Sequence, residues 1–287
     1  LNQVTPIHWD FQRKQEKSMF FRKIALGVFV AGLMASTAQA KTICTAIADA
    51  QTGAVLMQQG ACDERVTPAS TFKIAISLMG FDSGFLKGTH SPVLPFREGY
   101  VDWAGAAWRV PTDPDRWIKY SVVWFSQQVA QFLGQERFQQ YADLFQYGNK
   151  DVSGVPGKNN GTMGAWFNSS LRISPLEQLS FLEKVVNQKI PVSTHALDMT
   201  KALTEITVLP DGWDIHGKTG TGSPGSDGSY DPAHAYGWFV GWATKGTKTL
   251  VFARLIQDEK LEEGAAGIRA RDAFLKELPA ILASQAS

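Results

Sequence analysis

At 287 residues, 44% of them hydrophobic, the chain is long enough to bury one substantial core or two small ones, and it shows no low-complexity tract or repeat of fixed period. A formal net charge of +1 gives no electrostatic case for nucleic-acid binding. The five histidines (His8, His90, His195, His216 and His234) form no nucleophile-elbow or metal-binding pattern, so neither a histidine-based serine hydrolase nor a metal centre is expected.

Residues 1–18 are polar and precede a candidate initiator, Met19; they read as a leader or an appended extension and are set aside from fold reasoning. Met19-Phe20-Phe21-Arg22-Lys23 is a short basic start, an apolar run over 24–34 follows, and Ala38-Gln39-Ala40 supplies the small residues of a peptidase site. Residues 19–40 therefore read as a secretory signal cleaved after Ala40. An uncleaved anchor is the alternative, but the run is short for a bilayer span and no cysteine follows it to accept a lipid. The expected mature domain, 41–287, holds 23 basic and 25 acidic side chains and is free of the membrane once the signal is removed.

Apolar alternation predicts strands over 42–48 and 54–58, turning at Gln51-Thr52-Gly53. That hairpin brings Cys44 and Cys62 to one end; in an oxidising compartment they can form a disulfide, with two separate buried thiols as the alternative. Pro68-Ala69-Ser70 opens a helical segment over 72–79, and 81–120 is a loop-rich stretch heavy in Gly, Pro and Trp. Helices follow over 127–133 and 135–145, broken near Gly134, then a Gly/Asn-rich loop over 153–164. Ser174-Pro175-Leu176-Glu177 is the clearest helix start, with serine as cap, proline at the first position and Glu177 closing a capping box; that helix should reach Asn187. Ser193 caps another helix running toward Glu205. Strands return over 213–218, 236–243 and 249–257, the last two joined across Lys245-Gly246, and a helix over 265–283 ends the chain.

Strands at both ends with helices between them predict an α+β fold. One antiparallel sheet is built from both termini and flanked by helices, with a mostly helical subdomain inserted. The sheet lobe takes about 41–66 and 190–287, and the helical lobe about 67–189. A site at the junction would set Ser70 against the strand that carries Lys218.

The chemistry lies in Ser70-Thr71-Phe72-Lys73 and the distant Lys218-Thr219-Gly220. Residues i and i+3 share a helix face, so Lys73 can reach Ser70, and a serine needs such a base to become nucleophilic. Each motif alone is weak; about one Ser-x-x-Lys is expected by chance in a chain this long. Their order is the signal. Between them come Ser121-Val122-Val123, Tyr147-Gly148-Asn149 and Trp166, with Leu171-Arg172-Ile173-Ser174, and after them Gly237-Trp238-Phe239-Val240-Gly241-Trp242.

This ordered set resembles the penicillin-recognising serine enzymes, and among them the class D (oxacillinase-type) β-lactamases, over essentially the whole mature chain. Class A enzymes carry Ser-Asp-Asn and a separate deacylating glutamate, whereas Val123 stands here at the asparagine position and no Glu-x-x-Leu-Asn segment occurs. A tyrosine beside the base, as in class C, is a competing reading of Tyr147. The resemblance implies a β-lactamase/transpeptidase-like fold and hydrolysis of small-molecule β-lactams, with no cofactor beyond the CO2 or bicarbonate that carbamylates Lys73. Apolar surroundings from Phe72, Val123 and Trp166 would lower the lysine pKa, and the Trp166 indole N–H would hold the carbamate.

The resemblance further implies an oxyanion site at the backbone N–H groups of Ser70 and Thr221, and Ser121 hydrogen-bonded near Lys218 as proton relay. Lys218, Thr219 and Gly220 would face the substrate carboxylate, joined by Arg269 as a bidentate clamp; a solvated helix residue beside Arg271 is an equal reading of Arg269. Tyr147, Gly148 and Asn149 are expected to support the cleft wall. Trp103 and Trp108 either line its mouth or pack loops, the second being favoured. A penicillin-binding transpeptidase or carboxypeptidase and a non-hydrolytic β-lactam sensor domain are the alternatives. No heptad seam or self-complementary strand edge assigns an oligomeric state.

Overall fold

The structure, a computed structural model, describes residues 40–284. The leader and signal segments expected before Ala40 lie outside the described residues.

Two strands open the fold, β1 (Lys41–Asp49) and β2 (Val55–Gly60). A 3₁₀ turn over Ala69–Phe72 leads directly into α1 (Lys73–Asp82). Then come α2 (Pro114–Lys119), α3 (Val123–Phe145), the short α4 (Gly161–Gly164), α5 (Pro175–Val186) and α6 (Thr194–Leu203). Strands β3 (Glu205–Val208), β4 (Asp214–Gly222), β5 (Tyr236–Lys245) and β6 (Lys248–Gln257) precede the last helix, α7 (Ala266–Ser284).

All six strands form one sheet in the order β2-β1-β6-β5-β4-β3, with every neighbouring pair antiparallel. The central pairing of β1 with β6 joins the two ends of the domain, from Lys41 opposite Gln257 to Asp49 opposite Leu250. The sheet made from both termini is therefore present as expected. Cys44 and Cys62 are bonded as a disulfide at the end of the first hairpin.

Helices cover both faces of the sheet, so β5 and β6 read as nearly unbroken apolar runs rather than as alternating ones. The period of two reappears in the partners. Val240, Val251, Ala253 and Leu255 face the core shared with α1, α3 and α5. Ile47, Phe239, Leu250 and Phe252 face Ala270, Phe274, Leu278 and Leu282 of α7, whose four-residue spacing makes one apolar stripe. Helix α5 packs on β1 and β6, and α6 packs on α1 and α2.

Several boundaries differ from expectation for local reasons. Strand β4 continues to Gly222 instead of stopping at Lys218, because β5 pairs with it as far as Tyr236 opposite Gly222. Helix α6 ends at Leu203, and the chain reverses into β3, an exposed edge strand on β4. Helix α2 lies within the stretch read as loop; Asp113 caps it and Pro114 takes its first position. The expected break at Gly134 is present as a non-helical residue (φ 72°, ψ 164°) inside α3, which begins four residues earlier than expected.

Candidate active site

Ser70 is the second residue of the 3₁₀ turn, and Ala69 before it takes a left-handed conformation (φ 48°). The turn is braced by Thr71, whose Oγ1 donates to Pro68 O at 2.7 Å and accepts from Gln178 Nε2 at 3.0 Å. Lys73 begins α1, and its Nζ donates to Ser70 Oγ at 3.0 Å. The Lys73 side chain is fully buried. Burial, and secondarily the charge of Lys218, hold its pKa well below the ordinary lysine value. Both effects favour the neutral amine over the ammonium.

An aromatic group encloses that end of the cleft. The Phe72 ring stands 4.8 Å from Tyr147, 5.9 Å from Phe138 and 6.1 Å from Trp166, centroid to centroid. Val123, the first residue of α3, belongs to the same buried core. Trp166 is 1% exposed, and its Nε1 has no hydrogen-bond partner among the described residues. Nearly all buried donors in folded proteins are paired, so an orphaned indole N–H here calls for an explanation. It is a donor without an acceptor in a dry cage around Phe72, the residue next to Lys73.

Strand β4 supplies the facing wall. A Cβ on Gly220 would stand 2.9 Å from Pro68 O and 3.1 Å from Thr71 N, so only glycine lets the strand approach the Ser70 turn this closely. Thr221 follows, and its Oγ1 accepts from Gly267 N at 3.0 Å. Lys218 is buried; burial, with a contribution from the Arg271 charge, lowers its pKa to about 7. Its Nζ donates to Thr219 O at 3.0 Å and to Thr219 Oγ1 at 3.4 Å. Those are its hydrogen bonds among the described residues, and the expected one to Ser121 is not among them. Ser121 sits in the turn before α3 with φ 56°, a strained conformation for a serine and of the kind that gathers at functional sites.

The family model of the penicillin binding protein transpeptidase domain matches residues 40–280. Over 243 residues the chain is 42% identical to beta-lactamase OXA-9 of Klebsiella pneumoniae, covering 84% of this chain and 89% of that one. It is 32% identical over 242 residues to beta-lactamase OXA-1 of Escherichia coli, covering 79% and 84%. The crystal structure of OXA-427 class D beta-lactamase superposes with a TM-score of 0.79 at 46% identity, covering 84% of this chain and 98% of that one. The chain belongs to the class D β-lactamases.

In this class D chain the Tyr-Gly-Asn element packs behind the Ser70 turn, the Tyr147 ring lying against Phe72. Tyr147 is fully buried, its hydroxyl accepts from Gln178 Nε2 at 3.2 Å, and burial pushes its pKa upward, so it stays a neutral phenol. A Cβ on Gly148 would lie 2.1 Å from Arg172 O. Asn149 holds that same segment, donating from Nδ2 to Ser170 O at 2.8 Å and accepting from Arg172 N at 2.9 Å.

Arg269 is held by its own neighbours. Its Nη2 pairs with the buried Asp258 at 2.5 Å, and Nη1 donates to Glu263 O and Gly264 O at 2.8 Å. Both terminal nitrogens are thus engaged, while Nε and one Nη2 hydrogen of the partly exposed guanidinium are not used by these bonds. Trp108 packs loops, with Nε1 donating to Tyr120 O. Trp103 is 58% exposed and lies 4.7 Å from Phe167, the neighbour of Trp166.

Three contributors were not singled out from sequence. Gln178 braces both the Ser70 turn and Tyr147; a polar residue on the buried face of α5 was the available signal. Phe138 completes the aromatic group as one of many apolar helix positions. Thr67 donates from Oγ1 to Trp166 O at 3.0 Å while its carbonyl accepts from Trp238 Nε1 at 2.9 Å, and nothing local marks it.

Proposed function

We propose that this chain hydrolyses the amide bond of β-lactam antibiotics through an acyl-enzyme on Ser70, with carbamylated Lys73 as the base for acylation and deacylation, and so confers resistance to them. The observation that carries this reading is the conjunction of a dry Lys73 amine 3.0 Å from Ser70 Oγ with the unpartnered N–H of buried Trp166. An uncharged amine is the form that captures CO2, and a buried anion requires hydrogen-bond donors. The residues fit the group: Lys73 would carry it, Trp166 Nε1 would donate to it, and Phe72 and Val123 would exclude water. When bound, CO2 supplies Lys73 with an anionic oxygen base.

The remaining steps belong to the chain's own groups. Ser70 Oγ, relieved of its proton, attacks the strained lactam carbonyl. Backbone N–H groups of Ser70 and Thr221 receive the developing oxyanion, and Gly220 sets their separation by its close approach to the turn. Ser121 passes a proton to the departing ring nitrogen. Lys218, Thr219 and Gly220 face the substrate carboxylate, joined by Arg269 through the N–H groups that its bonds to Asp258, Glu263 and Gly264 leave unused. One base serves both halves of the reaction, which accounts for the missing deacylating glutamate. Residues 19–40 direct export, so that the enzyme works in the periplasm with Cys44 and Cys62 paired.

Turnover of a chromogenic cephalosporin, with and without added bicarbonate, tests the reading. Sustained turnover that bicarbonate enhances is expected. A single stoichiometric burst would overturn it in favour of a transpeptidase or a sensor domain.

A further inference from the structure

The indole of Trp166 is held by the chain around it, since its own N–H has no partner. Two residues on, Asn168 is fully buried and takes a left-handed conformation with φ 47°. Asparagine is one of the few residues besides glycine that enter this region readily, and here its side-chain hydrogen bonds fix it there.

Every polar group of Asn168 is in use. The backbone N–H donates to Thr67 Oγ1 at 3.0 Å, and that hydroxyl donates in turn to Trp166 O at 3.0 Å. The backbone carbonyl accepts from Gly228 N at 2.8 Å. Side-chain Oδ1 accepts from Ser223 N at 2.9 Å; Nδ2 donates to Ser223 Oγ at 3.0 Å and to Ser229 O at 2.6 Å. Ser223 directly follows Gly222, the last residue of β4. A Cβ on Gly222 would stand 3.0 Å from Asn168 Oδ1 and 2.6 Å from Thr67 Cγ2, so the strand end is shaped to admit the amide. Asn168 thus bolts the segment that carries Trp166 to the strand that carries Lys218 and Thr221.

We propose that Asn168 is a positioning residue that, through Thr67 and Ser223, fixes the Trp166 indole N–H for the base on Lys73 and so sets how tightly Lys73 retains CO2. It touches no reacting atom. The proposal rests on the carbamate reading of Lys73 given above.

The test is a titration of wild type, Asn168→Ala and Ser223→Ala with ¹³C-labelled bicarbonate, reading the lysine carbamate signal by ¹³C NMR. Loss of the buried amide's hydrogen bonds in Asn168→Ala should raise the bicarbonate concentration for half occupancy by about tenfold. Ser223→Ala keeps its backbone N–H bond to Oδ1 and should shift the same way by a smaller factor. The acylation rate at saturating bicarbonate should stay at the wild-type level in both, which general damage to the fold would not allow. Wild-type half occupancy in the folded variants overturns the proposal while leaving the carbamate reading intact. Should Asn168→Ala fail to fold, Ser223→Ala decides alone. Absence of any carbamate signal in wild type removes the Lys73 reading, and the role of Asn168 falls with it.

Discussion

Lys73 Nζ lies 3.0 Å from Ser70 Oγ, one turn apart at the start of α1, and burial together with the Lys218 charge lowers the pKa of that amine well below the ordinary lysine value. The geometry sets an amine beside a hydroxyl, the pair that the proposed mechanism uses to carry its base and its nucleophile. Lys73→Ala should therefore lose acylation and deacylation together, each by at least about 10²–10⁴-fold, the usual range for a positioned base. Pre-steady-state acylation and decay of the trapped acyl-enzyme measure the two steps separately. Normal release of acyl product by the variant would break the one-base scheme.

Gly220 is the hinge of the facing wall. In Gly220→Ala the new methyl would meet Pro68 O at 2.9 Å and both Thr71 N and Thr71 Cγ2 at 3.1 Å, and since two of these three atoms are backbone, the strand must move away from Ser70. Displacement of about 1 Å at a catalytic centre can cost 10²-fold in rate. The expected outcome is a large fall in kcat/KM with only a small change in Tm. Full activity in a folded variant would show that β4 does not set the oxyanion distance.

Lys218 couples stability to pH. Its pKa is about 7 in the folded protein against an ordinary value of 10.5. Between those values the unfolded chain binds a proton that the native protein lacks, so this residue makes stability rise as pH increases from about 7 to 10. Lys218→Met should flatten that part of the profile and be more stable than wild type near pH 7, by about 1–3 kcal/mol. Urea unfolding at pH 7 and pH 9.5 reads the difference, and parallel profiles for the two proteins would refute it.

The disulfide closes a loop with a sequence separation of 18 between Cys44 and Cys62. Loop-closure entropy for such a span corresponds to about 3 kcal/mol. A Cys44→Ser, Cys62→Ser double variant should melt several degrees lower yet keep its kcat at temperatures where it is folded. An unchanged Tm would show that the bond adds no stability.

What could be read from the residues follows from how local the cause was. The capping box at Ser174 forms as its spelling requires, with Glu177 N donating to Ser174 Oγ at 3.2 Å and Ser174 N donating to Glu177 Oε2 at 2.9 Å. β5 and β6 were legible because burial on both faces demands an apolar run. Edge strand β3 was not, since Glu205–Val208 is exposed and owes its form to pairing with β4. In the site, Ser70 and Lys73 announce themselves by adjacency. Asn168, Thr67 and Gln178 act through partners 31 to 171 residues distant, and no local pattern encodes those meetings. Arg269 shows the same limit in reverse: the guanidinium was visible, but its capture by Asp258 is a tertiary event.

Electron density at Lys73 in crystals held at alkaline pH with bicarbonate tests the central claim most directly. The account predicts planar carboxylate density on Nζ, with an oxygen accepting a hydrogen bond from Trp166 Nε1. A bare amine beside a still unpartnered Trp166 under those conditions would contradict it.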